Sequence, residues 1–126
     1  MTVFGRPERC QSTAMFEAIG RLVPAKPGAG GTKAGQALHE EGALEALATE
    51  TGLNPEEVGY IELVEHYPNL ETLLRGVMAA PPMVRAGRTV GDDAVRDALT
   101  GVFHSFETPT GRYALEEEVR YLIATR

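Results

Sequence analysis

The amino-acid sequence predicts a small α/β (α+β) domain in which helices surround a three-stranded sheet. The final segment, Tyr113 to Ala124, alternates with a period of two and becomes apolar on both faces towards its end, which is typical of a central strand. Two further segments have strand patterns, Thr2 to Gly5 and Val58 to His66. Apolar residues recur at helical spacing in the intervening sequence. We therefore expect a small sheet with the final strand at its centre.

Two helices are predicted before the second strand. Arg6, Pro7 and Glu8 favour a helix start, and the apolar stripe that follows consists of Met15, Phe16, Ile19 and Leu22. A second helix is expected from Glu40 to Thr51. Gly52 follows it at the position of a left-handed C′ residue, which predicts a glycine cap.

A long insertion, at about 68–110, separates the last two predicted strands. Asn69 can cap its first helix, and Pro81 and Pro82 are expected to stop that helix and lead into a short turn. Asp92 and Asp93 then favour the start of another helix. We expect these helices to form a lid that encloses a cavity at one end of the sheet.

The glycine-rich segment from Pro24 to Gly35 does not match a phosphate-binding loop. A Walker-type loop requires Gly, Lys and then Ser or Thr in succession, whereas Lys33 follows Thr32 and precedes Ala34. A helix and two prolines, rather than a strand, precede the segment. The sequence therefore predicts a flexible loop here.

Composition restricts the classes of function. The chain has 126 residues, which indicates one domain, and its net charge of -6 gives no electrostatic reason to bind nucleic acid or anionic lipid. No apolar run approaches the roughly 20 residues of a membrane span, and no signal-like segment follows Met1, so a cytoplasmic protein is expected. One Cys and three scattered His offer no metal-ligand spacing, so no metal is expected.

Four segments, in order, resemble the C-terminal half of a class I S-adenosylmethionine-dependent methyltransferase of a subgroup common in actinobacteria. They are VFGRPERC at Val3 to Cys10, EEGALEALATETGL at Glu40 to Leu53, YPNLETLLRGVMAAPPMVRA at Tyr67 to Ala86, and GRYALEEEVRYLIA at Gly111 to Ala124. The resemblance implies a truncated methyltransferase-like fold with a small mixed sheet. Its last strand would run antiparallel between the family's fifth and sixth strands.

The same resemblance implies that the cofactor-binding half is missing. The family binds its cofactor through a glycine-rich turn after the first strand and an acidic residue that ends the second. No residue here matches either motif, so no cofactor is expected. Without the family's fourth strand, Thr2 to Gly5 would form an open edge, and the sheet would expose apolar surface on both faces. We therefore expect a homodimer formed through that edge or face.

These expectations favour a cofactor-independent enzyme of specialised metabolism that binds a small-molecule substrate, of the cyclase or pericyclase type. Such chemistry needs a shaped apolar pocket and one or two hydrogen-bond donors. Two alternatives remain open: a partner subunit that completes a cofactor-bearing polypeptide, and a non-catalytic fragment of a methyltransferase.

The candidate catalytic residues are Glu117, Glu62 and His66. A carboxyl held among apolar groups has a raised pKa and can act as an acid. The sequence favours the alternative, a cross-strand salt bridge with Arg120 or Arg112. The candidate substrate-binding residues, for which core packing or pairing with Glu is the alternative, are Tyr67, Arg75, Met78, Met83, Arg85, Tyr121 and Phe16.

Overall fold

A computed structural model describes residues 1–23 and 38–126 of the chain. In chain order the elements are β1 (Thr2–Phe4), α1 (Thr13–Leu22), α2 (Ala43–Glu50), β2 (Asn54–Tyr67), α3 (Leu70–Met78), α4 (Pro81–Val90), α5 (Asp92–Phe103) and β3 (Tyr113–Thr125), with short 3-10 turns at Pro7–Arg9 and His104–Phe106. The segment from Pro24 to Gly35, predicted as a flexible loop, lies outside the described residues.

The three strands form one antiparallel sheet in the order β1-β3-β2. β1 pairs with β3 in the register Thr2↔Tyr121, Val3↔Arg120 and Phe4↔Val119. This confirms the predicted α/β class and the central, antiparallel position of the C-terminal strand. Among the described strands every pairing is antiparallel, so no parallel pair of a mixed sheet is present.

The described chain divides into two compact units. The sheet unit comprises residues 1–10, 38–63 and 116–126, and the helical unit comprises residues 11–23 and 64–115. β2 and β3 each contribute residues to both units. The single domain expected from the chain length stays a prediction.

The sheet unit has a small apolar core between α2 and β3. Leu44, Ala48 and Leu122 are buried there, and Leu53 packs against them. The end of α2 has the predicted glycine cap: Gly52 has φ 79°, its N–H donates to the carbonyl of Thr49 at 3.0 Å, and the N–H of Leu53 donates to that of Ala48 at 2.9 Å. These are the two hydrogen bonds of a Schellman motif, and they bring Leu53 onto the core.

The helical unit has a larger apolar core, to which α1, α3, α4 and α5 contribute. Its buried residues are Met15, Ile19, Leu73, Leu74, Met83, Ala86, Val95, Leu99, Phe103, Tyr113 and Leu115. As predicted, Asn69 caps α3, because its side-chain oxygen accepts a hydrogen bond from the N–H of Thr72 at 2.8 Å.

Two predictions about proline were wrong. Pro81 and Pro82 do not lead into a short turn; they occupy the first positions of α4, a helix of ten residues. Proline is favoured there because the first helical N–H groups have no partner within the helix. Pro7 opens a 3-10 turn of three residues rather than α1, because the extended backbone of Cys10 (φ -118°, ψ 110°) ends that turn.

Candidate functional site

A charged cluster lies on one face of the sheet unit, formed by Arg6, Arg9, Tyr60, Glu62 and Glu118. Glu118 is only 1% exposed and accepts three hydrogen bonds from Arg6: from its backbone N–H at 2.9 Å, from Nε at 3.0 Å and from Nη2 at 2.5 Å. Arg9 Nε lies 3.9 Å from the same carboxylate. The guanidinium of Arg6 also lies over the ring of Tyr60, 4.7 Å from its centroid.

This cluster stabilises the ionised form of Glu118. The hydrogen bonds from Arg6 lower the pKa of the Glu118 carboxyl, against the opposing effect of burial. The hydrogen bond to Glu118 likewise raises the pKa of Arg6. An ionised carboxylate that accepts three hydrogen bonds is a poor proton donor at neutral pH. We therefore interpret the cluster as a structural contact that holds Arg6 and Arg9, which follow β1, against Glu118 on β3.

A second buried charge, Arg120, faces α2. Its side chain is 2% exposed, and Nη2 donates to both carboxylate oxygens of Glu45 at 2.9 Å. Nη1 donates to the carbonyls of Leu38, at 3.1 Å, and of Glu40. Arg120 Nε is buried without a hydrogen-bond partner. The planar, forked guanidinium thus joins β3 to the start of α2.

Glu117, the first predicted catalytic acid, is 4% exposed and lies near Cys10. The thiol of Cys10 donates to the carbonyl of Glu118 at 3.4 Å. Burial raises the pKa of Cys10, and the charge of Glu117 raises it further. Cys10 precedes α1 by three residues, so the thiol does not lie in the first turn of that helix. A buried, protonated thiol is a weak nucleophile.

Glu62, the second predicted catalytic residue, is exposed and pairs with Arg9. The sequence suggested Arg120 or Arg112 as a partner for the candidate carboxylates, but Arg120 pairs with Glu45. An exposed ion pair of this kind contributes little to stability.

Tyr121 is a candidate substrate contact whose hydroxyl already has a partner. Its OH donates to Glu57 Oε1 at 2.6 Å, which raises the pKa of the phenol. The ring lies directly against Gly59, where a Cβ would stand 2.7 Å from three ring and hydroxyl atoms. Gly59 is therefore required on β2 for the ring to lie across that strand.

The other seven predicted site residues belong to the helical unit. Met83 is fully buried in its core, and Met78 and Tyr67 pack at the edge of that core. The hydroxyl of Tyr67 donates to Glu65 at 2.7 Å. The remaining four residues have exposed side chains, namely Phe16, His66, Arg75 and Arg85. The structure therefore places the predicted residues in two units, with three in the sheet unit, namely Glu62, Glu117 and Tyr121.

The face of the sheet unit opposite to Glu118 and its arginine partners is apolar and exposed. We call it the open sheet face and define it by Phe4, Ile61, Val119, Tyr121 and Ile123. The register places Phe4 beside Val119, and the approach of Gly59 to Tyr121 places Ile61 on the same side. Phe4 is 61% exposed, Ile61 52% and Ile123 48%. A shallow depression of about 290 Å³ lies there, lined by Thr2, Val3, Phe4 and Val119.

β1 also presents an unpaired edge. The N–H of Gly5 donates to the carbonyl of Glu118, and Met1 and Leu122 exchange two hydrogen bonds, so residues 1, 3 and 5 point their backbone groups towards β3. In an antiparallel pair the intervening residues point the other way. The N–H and C=O groups of Thr2 and Phe4 therefore face outwards, and β1 pairs with β3 alone among the described strands.

Sequence reasoning missed Glu118 and Arg6, and it gave Arg120 the wrong partner. Their side chains lie on the face of β3 opposite to Glu117, and the ion pairs join residues 112 and 75 positions apart. The signal that was available is the pair of arginines in the sequence RPER after the first strand, opposite three consecutive glutamates on the last.

Comparisons with protein-family models, with curated proteins and with solved structures found no match to this chain. Within residues 1–23 and 38–126, no group of three His, Cys, Asp or Glu side chains is placed to hold a metal ion. No helix in that part of the chain has the length and apolar character needed to cross a membrane.

Proposed function

We propose that this chain is the C-terminal half of a class I methyltransferase-type fold and works as a non-catalytic component, completed when a cofactor-bearing polypeptide pairs along β1. The support is the strand order β1-β3-β2 with an antiparallel central strand, which is the order that the sequence resemblance implies for the family's fifth, seventh and sixth strands. The partner would supply the glycine-rich turn and the acidic residue that bind S-adenosylmethionine.

The contrast between the two edges of the sheet carries this proposal. β2, at one edge, begins with Asn54 and Pro55 and carries glutamates at 56, 57, 62 and 65. Proline and charge are the usual means by which proteins prevent an edge strand from pairing. β1, at the other edge, has the sequence Thr-Val-Phe without charge or proline. β1 is short, with three residues, but it is the edge without proline or charge, and we infer that a further strand pairs there.

Reconstitution of cofactor binding tests the proposal. The partner is a recombinant polypeptide that comprises the first four strands of an actinobacterial class I methyltransferase. Calorimetry with S-adenosylmethionine is performed on each polypeptide alone and on the mixture. We expect binding by the mixture and none by this chain alone. Binding by this chain alone, or no gain on mixing, would contradict the proposal.

A matched pair of variants locates the contact. Thr2→Pro removes an outward N–H and leaves the β1–β3 hydrogen bonds in place, whereas Thr2→Ala keeps that N–H. An unpaired partner carbonyl in the interface costs about 1–3 kcal/mol. We therefore expect Thr2→Pro to weaken association by about tenfold and Thr2→Ala to leave it nearly unchanged.

The cofactor-independent cyclase is the second candidate, favoured by the burial of Glu117. Glu117 is 4% exposed, and a cyclisation that proceeds by acid catalysis requires a carboxyl held beside its substrate. The test is incubation with a linear precursor from neighbouring biosynthetic genes and a search for a same-mass product with new rings. Glu117→Gln should abolish the product, and Glu116→Gln, at an exposed neighbouring position, should not. Equal activity of both variants would reject Glu117 as the acid.

A further inference from the structure

We infer that the open sheet face is a docking surface for an amphipathic helix with a basic rim, carried by the partner polypeptide. This inference rests on the proposed function, since it names the second contact that such a partner makes. The first contact, at the β1 edge, offers outward backbone groups from two residues only, Thr2 and Phe4. Specific interfaces bury about 800 Å² per partner, so an edge of this length needs an additional surface.

The open sheet face adjoins that edge. Phe4 belongs to both, because its backbone N–H faces outwards along the sheet while its side chain lies on the open face. Ile61 on β2 and Ile123 on β3 extend the apolar surface across the sheet. Side chains of this size that are about half exposed together leave on the order of 300 Å² of apolar area, the size of the largest apolar patch on a typical monomer, which is often functional.

The width of the face fits one helix. Three strands span two inter-strand spacings, or about 9.6 Å, and an α-helix with its side chains is about 10–12 Å across. The opposite face of the same sheet is covered in this way by α2, through Leu44 and Ala48 against Leu122. A helix with one apolar stripe would therefore cover the open face as α2 covers its reverse.

Charge selects the partner. The described residues of the sheet unit include eleven Glu and four Arg, a net formal charge of -7 for this unit. On the open face, Glu57 lies beside Tyr121. Neither β1 nor residues 54–63 of β2, the part that belongs to this unit, contain an Arg or Lys. A second copy would bring a like charge against it, whereas lysines or arginines flanking an apolar stripe would be attracted.

The probe is a synthetic fluorescent helix of about 16 residues with a leucine stripe flanked by lysines. Two control peptides are used: one has glutamate in place of lysine, and one has the same composition in scrambled order. Fluorescence anisotropy is measured at about 20 mM salt, where the Debye length is longer than about 10 Å, and at about 200 mM salt, where it is shorter. We expect the lysine peptide to bind, more weakly at high salt, and neither control to bind.

Two exposed residues of β2 on opposite faces provide the matched variants. Ile61→Lys should weaken binding of the lysine peptide by at least about tenfold, and Val58→Lys, which adds the same charge to the opposite face, should change it by less than about threefold. Ile123→Lys on β3 is a second variant of the open face, so the test does not depend on the folding of one substitution.

Three outcomes would overturn the inference. Equal binding of the scrambled peptide would show attraction by charge alone. Equal weakening by Val58→Lys would place the contact elsewhere. A dimer of the free chain in sedimentation, dissociated by Ile61→Lys but not by Val58→Lys, would show that a second copy, as in the predicted homodimer, occupies the face.

The two proposals fail separately. If S-adenosylmethionine binding by the mixture is unaffected by Ile61→Lys, the docking surface is wrong and the proposed function stands. If the mixture never binds the cofactor while the lysine peptide binds at Ile61, the proposed function is wrong and the docking surface stands.

Discussion

Replacing Glu45 by Gln tests how the buried guanidinium of Arg120 is stabilised. Glu45 accepts two hydrogen bonds of 2.9 Å from Arg120, whose side chain is 2% exposed. The substitution removes the negative charge and leaves the arginine buried without a counter-ion. We therefore expect Glu45→Gln to destabilise the protein markedly, although Glu45 itself lies near the surface.

The expected magnitude follows from the contacts that remain. Removal of one partner from a buried ion pair costs about 3–5 kcal/mol. Here Nη1 of Arg120 still donates to two backbone carbonyls, and the Glu45 side chain is 28% exposed, so water already screens part of the pair. We expect a loss of about 2 kcal/mol, which lowers the urea midpoint by about 1 M.

The companion variants follow the same reasoning. Arg120→Met removes the buried charge together with its unpaired Nε and leaves Glu45 free to be hydrated, but it also takes the donor from the carbonyls of Leu38 and Glu40. It should therefore cost about 1–2 kcal/mol. The double variant should be no less stable than Arg120→Met alone, which gives a coupling energy of about 2 kcal/mol in a double-mutant cycle.

Urea unfolding followed by far-UV circular dichroism measures each free energy. Glu41→Gln is the control, because Glu41 is exposed and has no role in this pair; it should change stability by less than about 0.5 kcal/mol. A Glu45→Gln variant as stable as this control would refute the account of Arg120.

Three further predictions concern the sheet unit. Because the pKa of Glu118 is lowered in the folded protein, its carboxylate contributes stability above the ordinary glutamate pKa of 4.5, and this stability is lost as the pH falls through the folded pKa. Glu118→Gln should therefore make the free energy of unfolding depend less steeply on pH in the acid range. An unchanged slope would contradict this. Gly59→Ala should destabilise the protein by about 1–3 kcal/mol in thermal melts, because the added Cβ meets the Tyr121 ring. Gly101→Ala, inside a helix with open space around it, should stabilise the protein by up to about 1 kcal/mol. Equal effects of the two variants would argue against the close approach of Gly59 to Tyr121. Cys10 should react with Ellman's reagent far more slowly in the folded protein than in urea, since burial raises its pKa, and equal rates would place the thiol at the surface.

The sheet was predictable because its signals are local. Alternation of residues identified β3 and most of β2, and a short apolar run identified β1. The two-sided apolar end of β3 indicated its central place. The glycine cap at Gly52 and the cap at Asn69 were found for the same reason, since each depends on a few neighbouring residues.

The remaining errors have long-range or ambiguous causes. Pro81 reads equally as the end of one helix or the beginning of the next, and only the chain direction after Ala80 decides between them. The partners of Glu118 and Arg120 come from segments that are distant in sequence, and no periodicity links those segments. The candidate site residues were chosen from separate segments, and the structure divides them between the two units.

Amide hydrogen exchange at β1 would show whether another polypeptide pairs along this edge. In the free chain the N–H groups of Thr2 and Phe4 face outwards and should exchange rapidly, while those of Val3 and Gly5, bonded to β3, should be protected. With the cofactor-bearing polypeptide added, the N–H groups of Thr2 and Phe4 should become protected as well. Unchanged exchange at both residues in a mixture that binds S-adenosylmethionine would contradict pairing along this edge.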